Sequence, residues 1–303
     1  MSSHTVSDRI AKTMEYFVAS LDTPYHGSSS MTTSIYDTAW LAMVSKPIIV
    51  GQNGEINERQ WAFPQSFQAI LDSQDTDGGF TAHEGATQVD AILNCMSALL
   101  ALCKHAKCPS ITGCTQIDYL PQRIACAQGF LQKALSCWDI SSTDHVGYEI
   151  LVPTLVDLLQ TEGGLDFHGV IPNFEALMEM RSHKIAHFSY DLLYSSHRTS
   201  LIHSLEAFIG YLDFDKPSHH ISMGAMMNSP SSTAAYLMSC STWDNEAEAY
   251  LHYVAKSGKG LVPSAFPISL FEISLASILI PFAPHPSVTV SKIVFQILVL
   301  DHL

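Results

Sequence analysis

Hydrophobic residues recur at helical spacing along most of the chain. Ile10, Met14, Phe17 and Val18, for example, form one stripe of an amphipathic helix. Similar runs continue beyond the turn signals at 27–30 and 51–54. The pattern predicts helices over 6–21, from Ser34 onward, from Trp61 to Gln74, and over 90–106, 122–138 and 149–160.

No segment among the first 280 residues predicts a pair of strands. The apolar runs are too long for strands and alternate with polar loops rather than with further strand-like segments. Helical hairpins joined by loops are therefore expected, and the predicted fold class is all-α.

Composition narrows the class of protein. The chain has 303 residues, of which 47% are hydrophobic and 15% charged, with a mean hydropathy of +0.15. These values indicate large apolar interiors or an apolar ligand site. The net charge of −14 argues against nucleic acid as a partner, and a diphosphate ligand would need a local basic cluster or bound metal ions.

Cysteine usage and the termini bear on location. Seven cysteines occur without a CxxC pair, which favours reduced thiols inside the cell. The N-terminus has no apolar core of a signal peptide and is not rich in arginine. The apolar run 293–300 is too short to cross a bilayer. The sequence predicts a cytoplasmic protein without a membrane span.

Residues 34–40, Ser-Ile-Tyr-Asp-Thr-Ala-Trp, have an ordinary interpretation and a specific one. In the ordinary one, Ser34 caps a helix, Asp37 lies in its first turn, and Tyr36 and Trp40 pack in the core. In the specific one, the run resembles the SAYDTAW signature of class II diterpene cyclases, the copalyl diphosphate synthase and kaurene synthase group.

Further segments resemble the same family in the same order. They are 144–153 (DHVGYEILVP), 201–207 (LIHSLEA), 213–216 (DFDK), 229–236 (SPSSTAAY) and 260–272 (GLVPSAFPISLFE). The run from Gln74 to Phe80 is similar to the QW-like motif of terpene-cyclase barrels, with Phe in place of the usual Trp. The resemblance is strongest with fungal enzymes.

The resemblance implies an architecture. It predicts an α-helical, α/α-barrel-like γ domain together with the first segment of a β domain, as these are called in the family. Residues 1–50 would be the β-domain segment, 51–272 the γ domain, and 273–303 a divergent tail that matches nothing in the family.

The family reaction is a protonation-initiated cyclisation. These isomerases protonate the terminal alkene of geranylgeranyl diphosphate and form a copalyl-type diphosphate, with a strong acid supplied by a DxDD motif. No DxDD occurs in the 303 residues, and the strings at 75–78 and 213–216 lack the adjacent acid pair. We therefore expect a truncated cyclase that lacks the catalytic acid.

Two catalytic candidates follow from the resemblance. His203 matches a histidine that helps a water-mediated base remove the final proton, a task that suits an imidazole. Ser264 stands where the family has the asparagine partner of that base. The replacement puts the histidine–asparagine pair of the catalytic base in doubt. The ordinary interpretation of His203 is a buried structural histidine.

Other candidates concern binding. Tyr36 and Trp40 are candidates for substrate contact, although anchoring the helix is the simpler role. Lys184 lies near a diphosphate-binding lysine of the family, or on a solvated helix face. Asp144 falls in the family's magnesium-associated loop, which predicts a thin Mg²⁺ site. The three remaining acids of the matched segments are interpreted as surface or capping residues: Glu206, Asp213 and Asp215.

Three hypotheses about function remain open. The chain is a cyclase acting on geranylgeranyl diphosphate, a non-catalytic protein that binds a prenyl ligand or a partner, or a recruited γ domain acting on another apolar metabolite. The expected partners are a prenyl diphosphate or another apolar small molecule, and either a second copy or a full-length cyclase.

Overall fold

The computed structural model describes residues 12, 15, 19, 25, 31–49, 56–80, 85–108, 119–186, 190–269, 271, 272 and 274. The chain forms two compact units, one over 32–264 and one from 1–31 with 265–303. The helices and strands named in the following paragraphs belong to the first. The turns predicted at 27–30 and 51–54, the tail beyond 274 and nearly all of the helix predicted over 6–21 lie outside the described residues. The family domain boundaries at 50 and 272 stay predictions.

Helices dominate the described chain, which confirms the all-α prediction. The α-helices are α1 (Ile35–Ala42), α2 (Pro64–Asp72), α3 (Gln88–Lys107), α4 (Leu120–Ser136), α5 (Tyr148–Leu158), α6 (Phe174–Ala186), α7 (Tyr190–Tyr194), α8 (Pro230–Ser239) and α9 (Asn245–Ser257). Short helices of other types cover Ile140–Ser142, Leu159–Gly163, Ser200–Phe208 and Lys216–His220.

Helix α3 lies at the centre of this unit. Its N-terminus is closed by a capping box, in which Thr87 and Asp90 exchange side-chain and backbone hydrogen bonds. It packs against α1, α4 and α5, and most of its residues are buried. By its length and hydropathy, α3 is long enough and apolar enough to cross a membrane. In the structure, 78% of its most apolar window is buried among the other elements. That burial is the pattern of a core helix.

The prediction that the chain forms no strand pairs is wrong. The described residues contain three two-stranded antiparallel sheets, built from β1 (Thr33–Ser34) with β6 (Val262–Pro263), β2 (Ser45–Ile49) with β3 (Ile56–Trp61), and β4 (Ile221–Ser222) with β5 (Ala225–Met226). Most of these strands are two residues long, too short for an alternating pattern to show in the sequence.

The helix expected from Trp61 begins three residues later, at Pro64. Trp61 instead ends β3, where its ring stacks on His105 at a centroid distance of 3.9 Å. Phe67 stacks on the other face of the same imidazole at 3.4 Å. Proline is favoured in the first turn of a helix and disfavours helical geometry in the residue before it, and this sets the start of α2.

The Gln74 segment ties two helices together. The Gln74 side-chain amide donates to the backbone oxygen of Arg123 in α4 at 3.0 Å. The Arg123 guanidinium returns a hydrogen bond to the Leu71 carbonyl oxygen at 2.7 Å. Phe80, in the position of the usual Trp, is fully buried.

Gly78 allows this turn to approach α4. Its φ is +92°, and a Cβ at this position would lie 2.3 Å from the backbone oxygen of Cys126. Gly129, on an exposed part of α4, has nothing within 4 Å of its Cβ position. The two glycines therefore form a matched pair for a stability test.

We expect Gly78→Ala to lower the free energy of unfolding by about 2 kcal/mol or more, because it combines a positive φ with a backbone clash. Gly129→Ala should raise it by about 0.5–1 kcal/mol, because alanine restricts the unfolded chain and fits the helix. Urea unfolding measures both changes. Equal stabilities of the two variants would contradict the close contact between the turn and α4.

Candidate functional site

The N-terminus of α1 is fixed by Ser34. Its hydroxyl accepts the backbone N–H of Asp37 at 3.2 Å, and its carbonyl oxygen accepts the Thr38 hydroxyl at 2.6 Å. The Thr38 hydroxyl oxygen in turn accepts the backbone N–H of Val262 at 3.1 Å. Because Val262 lies in β6, these bonds hold Ser264 beside the start of α1.

Glu206 is the centre of a buried polar cluster. The residue is only 2% exposed. Its Oε1 accepts the hydroxyls of Tyr36 at 3.1 Å and Ser231 at 3.2 Å, and its Oε2 accepts the hydroxyl of Ser232 at 2.9 Å. Three segments that resemble the cyclase family, residues 34–40, 201–207 and 229–236, thus meet at one carboxylate.

The start of α8 orients these hydroxyls. Ser229 caps the helix and accepts the Ser232 backbone N–H at 3.2 Å, and it lies 3.1 Å from the Ser231 hydroxyl. The Ser232 oxygen accepts the backbone N–H of Leu205 at 2.9 Å, so its own proton is free to point to Glu206. The serine-rich sequence therefore supplies hydroxyls in fixed directions.

Asp37 is a second buried carboxylate, 4% exposed. Its Oδ1 accepts the Ser231 backbone N–H at 3.3 Å. Burial raises the pKa of Asp37, while hydrogen bonds and the nearby His203 oppose that rise. Burial also raises the pKa of Glu206, to about 7, and the charge of Asp37 adds to the effect. The pKa of Tyr36 rises well above its ordinary value, through burial and then through the charge of Glu206.

A cavity of about 250 Å³ opens beside this cluster. Its lining is Thr32, Thr33, Ser34, Tyr36, Asp37, Asp90, Leu93, Asn94, His145, Leu151 and Ser264. No lysine or arginine is among these described lining residues. A wall with two carboxylates and no fixed cation disfavours a diphosphate and tolerates a neutral or cationic group.

Asn94 contributes a donor to the cavity wall. Its Oδ1 accepts the backbone N–H of Tyr36 at 3.1 Å, and this fixes which end of the amide faces which way. Its Nδ2 is buried and has no hydrogen-bond partner among the described residues. One turn earlier on α3, Asp90 pairs with His145 Nδ1 at 3.2 Å.

The structure brings two of the predicted site residues to the cavity and a third close to it. Tyr36 and Ser264 line the wall. His203 is half-buried and close enough to Asp37 to oppose the rise in the pKa of that carboxyl. Trp40 is 2% exposed and meets the Tyr36 ring edge-on at 6.2 Å, so it lies behind the wall and supports it.

Lys184 lies elsewhere. It forms an ion pair with Glu149 and lines a separate groove with Glu179, Met180 and His183. The geometry thus does not bring it to the cavity that holds Tyr36.

Asp144 is exposed on a loop, and Asp139 accepts the backbone N–H and hydroxyl of Ser141. No group of three His, Cys, Asp or Glu side chains suited to a metal ion occurs within the described part of the chain. The Mg²⁺ site at Asp144 stays a prediction, because proteins commonly hold magnesium with one or two carboxylates together with water and substrate phosphates.

The interpretation of Glu206 as a surface or capping residue is wrong. The cause is tertiary, because its hydrogen-bond donors come from α1 and α8, which are distant in sequence. The only local signal is its position between two apolar residues, Leu205 and Ala207. Asp213 and Asp215 are exposed, as the surface interpretation requires. Asp213 accepts the backbone N–H of Asp215, and Asp215 accepts that of Ser241 rather than capping the helix that follows it.

Comparison with known proteins gives relatives but no matching family model. Phyllocladan-16-alpha-ol synthase of Phomopsis amygdali is 45% identical over 260 residues, which is 83% of this chain and 24% of the relative. Copalyl diphosphate synthase of Talaromyces verruculosus is 45% identical over 252 residues, 81% of this chain and 25% of the relative. The chain thus spans about a quarter of the length of these relatives.

The fold has solved counterparts. Ent-copalyl diphosphate synthase of Arabidopsis thaliana superimposes with a TM-score of 0.66 at 23% identity, covering 88% of this chain and 35% of that one. At this identity the comparison speaks for the fold alone. It supports the predicted terpene-cyclase type of helical architecture.

The raised pKa of Glu206 predicts a pH-dependent stability. Between pH 4.5 and 7 the folded state holds a proton that the unfolded state releases, so Glu206 lowers stability as pH rises through this window. Relative to Glu206→Gln, the wild type should lose about 3 kcal/mol of unfolding free energy between pH 4.5 and 8.

Urea unfolding of both proteins across this range measures the difference. His105, whose burial lowers its pKa to about 4, acts with the opposite sign but equally in both proteins, so it cancels. A difference that does not change with pH would contradict the buried, proton-binding state of Glu206.

Proposed function

We propose that this chain functions in diterpenoid biosynthesis and forms part of a cavity in which geranylgeranyl diphosphate is cyclised. The proposal is supported by the similarity of the chain, over about a quarter of their length, to a phyllocladan-16-alpha-ol synthase and a copalyl diphosphate synthase. The observation that carries the proposal is the meeting of Tyr36, Glu206 and Ser264 at one cavity and its adjoining cluster. These residues come from three separate segments that resemble the family.

The lining of the cavity suits the hydrocarbon part of such a substrate. Leu93, Leu151 and the Tyr36 ring offer apolar surface, while Asp37 and Asp90 place negative charge where a cation forms. An aromatic face and fixed carboxylates stabilise positive charge in a site shielded from water. The lack of a lysine or arginine among the described lining residues directs the diphosphate to a different region.

The initiating acid is proposed to come from outside these 303 residues. Protonating an unactivated alkene needs a strong acid, and the family's DxDD is not in this sequence. Glu206, with a pKa of about 7, is too weak an acid for that step. Its environment suits a proton acceptor instead.

Diphosphate and metal binding remain part of the proposal by resemblance. Lys184 is the candidate for diphosphate and Asp144 for Mg²⁺, and neither lines the cavity with Tyr36. Magnesium carries no step of the proposed chemistry, and it is added to the binding assay as a component of the family reaction.

A second candidate function is a non-catalytic prenyl-binding subunit that pairs with a second copy or with a full-length cyclase in the cytoplasm. The lack of a DxDD motif in the 303 residues favours it, because a chain without that acid can bind a prenyl ligand without converting it. Analytical ultracentrifugation, alone and with a full-length cyclase, distinguishes a monomer from either pair.

We expect the purified protein to bind geranylgeranyl diphosphate without converting it to a bicyclic diphosphate, because binding needs the cavity and conversion needs the missing acid. Calorimetry with magnesium present measures the first, and mass spectrometry of the incubation measures the second. Tyr36→Ala should weaken binding by roughly tenfold through loss of apolar contact.

Tyr119→Ala is the matched control, since Tyr119 is exposed at the start of α4 and does not line the cavity. It should leave the affinity unchanged. Absence of binding in the wild type would refute the prenyl-binding proposal. A bicyclic diphosphate product would refute the claim that the acid lies outside this chain.

A further inference from the structure

One hydroxyl joins the buried carboxylate cluster to the cavity. Tyr36 lines the cavity wall, and its hydroxyl donates to Glu206 at 3.1 Å. Glu206 itself is buried and is not part of the lining. Tyr36 is therefore placed between a ligand in the cavity and a carboxylate that the ligand does not touch.

We propose that the Tyr36 hydroxyl relays protons between the cavity and Glu206, so that Glu206 is the acceptor for a proton lost by a ligand bound there. This inference rests on the proposed function for the identity of the ligand. The relay itself is a property of the chain and is testable without a bound ligand.

Tyr36 offers the shortest path from the cavity to Glu206. Asp37 also lines the cavity and meets Ser231 through both its backbone N–H and its side chain, but a proton on this route would pass through two residues before it reaches Glu206. The Ser232 hydroxyl leads back to the backbone N–H of Leu205. A phenol, in contrast, accepts a proton on its oxygen while it donates its own.

The proposed step balances for a cyclised carbocation. A C–H bond next to the cationic carbon breaks, and its electron pair forms the C=C bond. The proton goes to the Tyr36 oxygen, and the original hydroxyl proton passes to Oε1 of Glu206. Glu206 ends neutral, Tyr36 ends as a phenol, and the ligand's positive charge is removed.

The surroundings of Glu206 keep both of its protonation states accessible near neutral pH. Burial and the Asp37 carboxylate of α1 raise its pKa, to about 7, while the hydroxyls of Tyr36 and Ser232 oppose the rise. Ser231 of α8 donates as well, and His203 comes from the same 3-10 helix as Glu206. A group that titrates near the working pH is suited to general base catalysis.

The relay also bears on the histidine candidate. The family base that His203 matches needs an amide partner, and that position is Ser264 here. Tyr36 and Glu206 provide an acceptor that does not depend on this partner. In this chain His203 would act as a positioning residue near Asp37 rather than as the base.

A pH-jump experiment followed by infrared spectroscopy tests the relay. The carboxyl band of Glu206 is assigned by its loss in Glu206→Gln, and its rate of appearance after a fall from pH 8 to 6 is recorded. Tyr36→Phe keeps the ring but removes the relay, and we expect it to slow protonation at least about tenfold.

Ser232→Ala is the matched control, because it also removes one hydroxyl donor from Glu206 but lies off the path from the cavity. It should shift the titration midpoint upward, as Tyr36→Phe does, without slowing protonation. Fluorotyrosine at position 36 retains the hydroxyl and should restore the fast rate. This third variant separates the relay from loss of folding.

Equal protonation rates in Tyr36→Phe and Ser232→Ala would overturn the relay. If the wild type fails to bind geranylgeranyl diphosphate but shows the rate difference, the proposed function fails and the relay stands. If it binds the ligand while the two variants protonate equally fast, the relay fails and the proposed function stands.

Discussion

A single buried carboxylate organises this structure. Glu206 is shielded from water and accepts three hydroxyls, from Tyr36, Ser231 and Ser232. An uncompensated charge in such a place would cost several kcal/mol. Helix α1, the 3-10 helix Ser200–Phe208 and α8 must therefore be held in register for the fold to persist. The same register opens the cavity beside Tyr36. Stability and the candidate site therefore depend on one cluster.

The cluster also explains how a chain with few charged residues handles its polar interior. Asp37 and Glu206 are both buried in a low-dielectric region, where burial raises the pKa of each carboxyl and the charge of Asp37 adds to the rise at Glu206. Serine hydroxyls and backbone N–H groups, rather than lysine or arginine, partly compensate them. Such an arrangement gives up stability at high pH, and it supplies groups that exchange protons near neutrality. Stability lost in this way is common at functional sites.

Prediction from sequence succeeded where the signal was local. Helices α3 and α4 were predicted from the spacing of their apolar residues. The Ser34 cap was predicted from its position just before a helical run. Prediction failed where partners were distant. The two-residue strands β1 and β6 pair residues more than 200 positions apart. Trp61, which was expected in a helix, lies at the end of a strand and stacks on His105. Neither outcome has a signature within a short window of sequence.

The sequence by itself determined the helical class and the similarity to diterpene cyclases, because periodicity and motif order are properties of the linear chain. Only the tertiary structure decided what the motifs do together. Tyr36, interpreted from sequence chiefly as an anchor, lines a cavity, and Glu206, interpreted as a surface residue, is the buried centre of the cluster. Lys184 lies in a different groove. Burial and hydrogen-bond partners set the chemistry of a side chain, and both depend on residues that the fold brings from far along the chain.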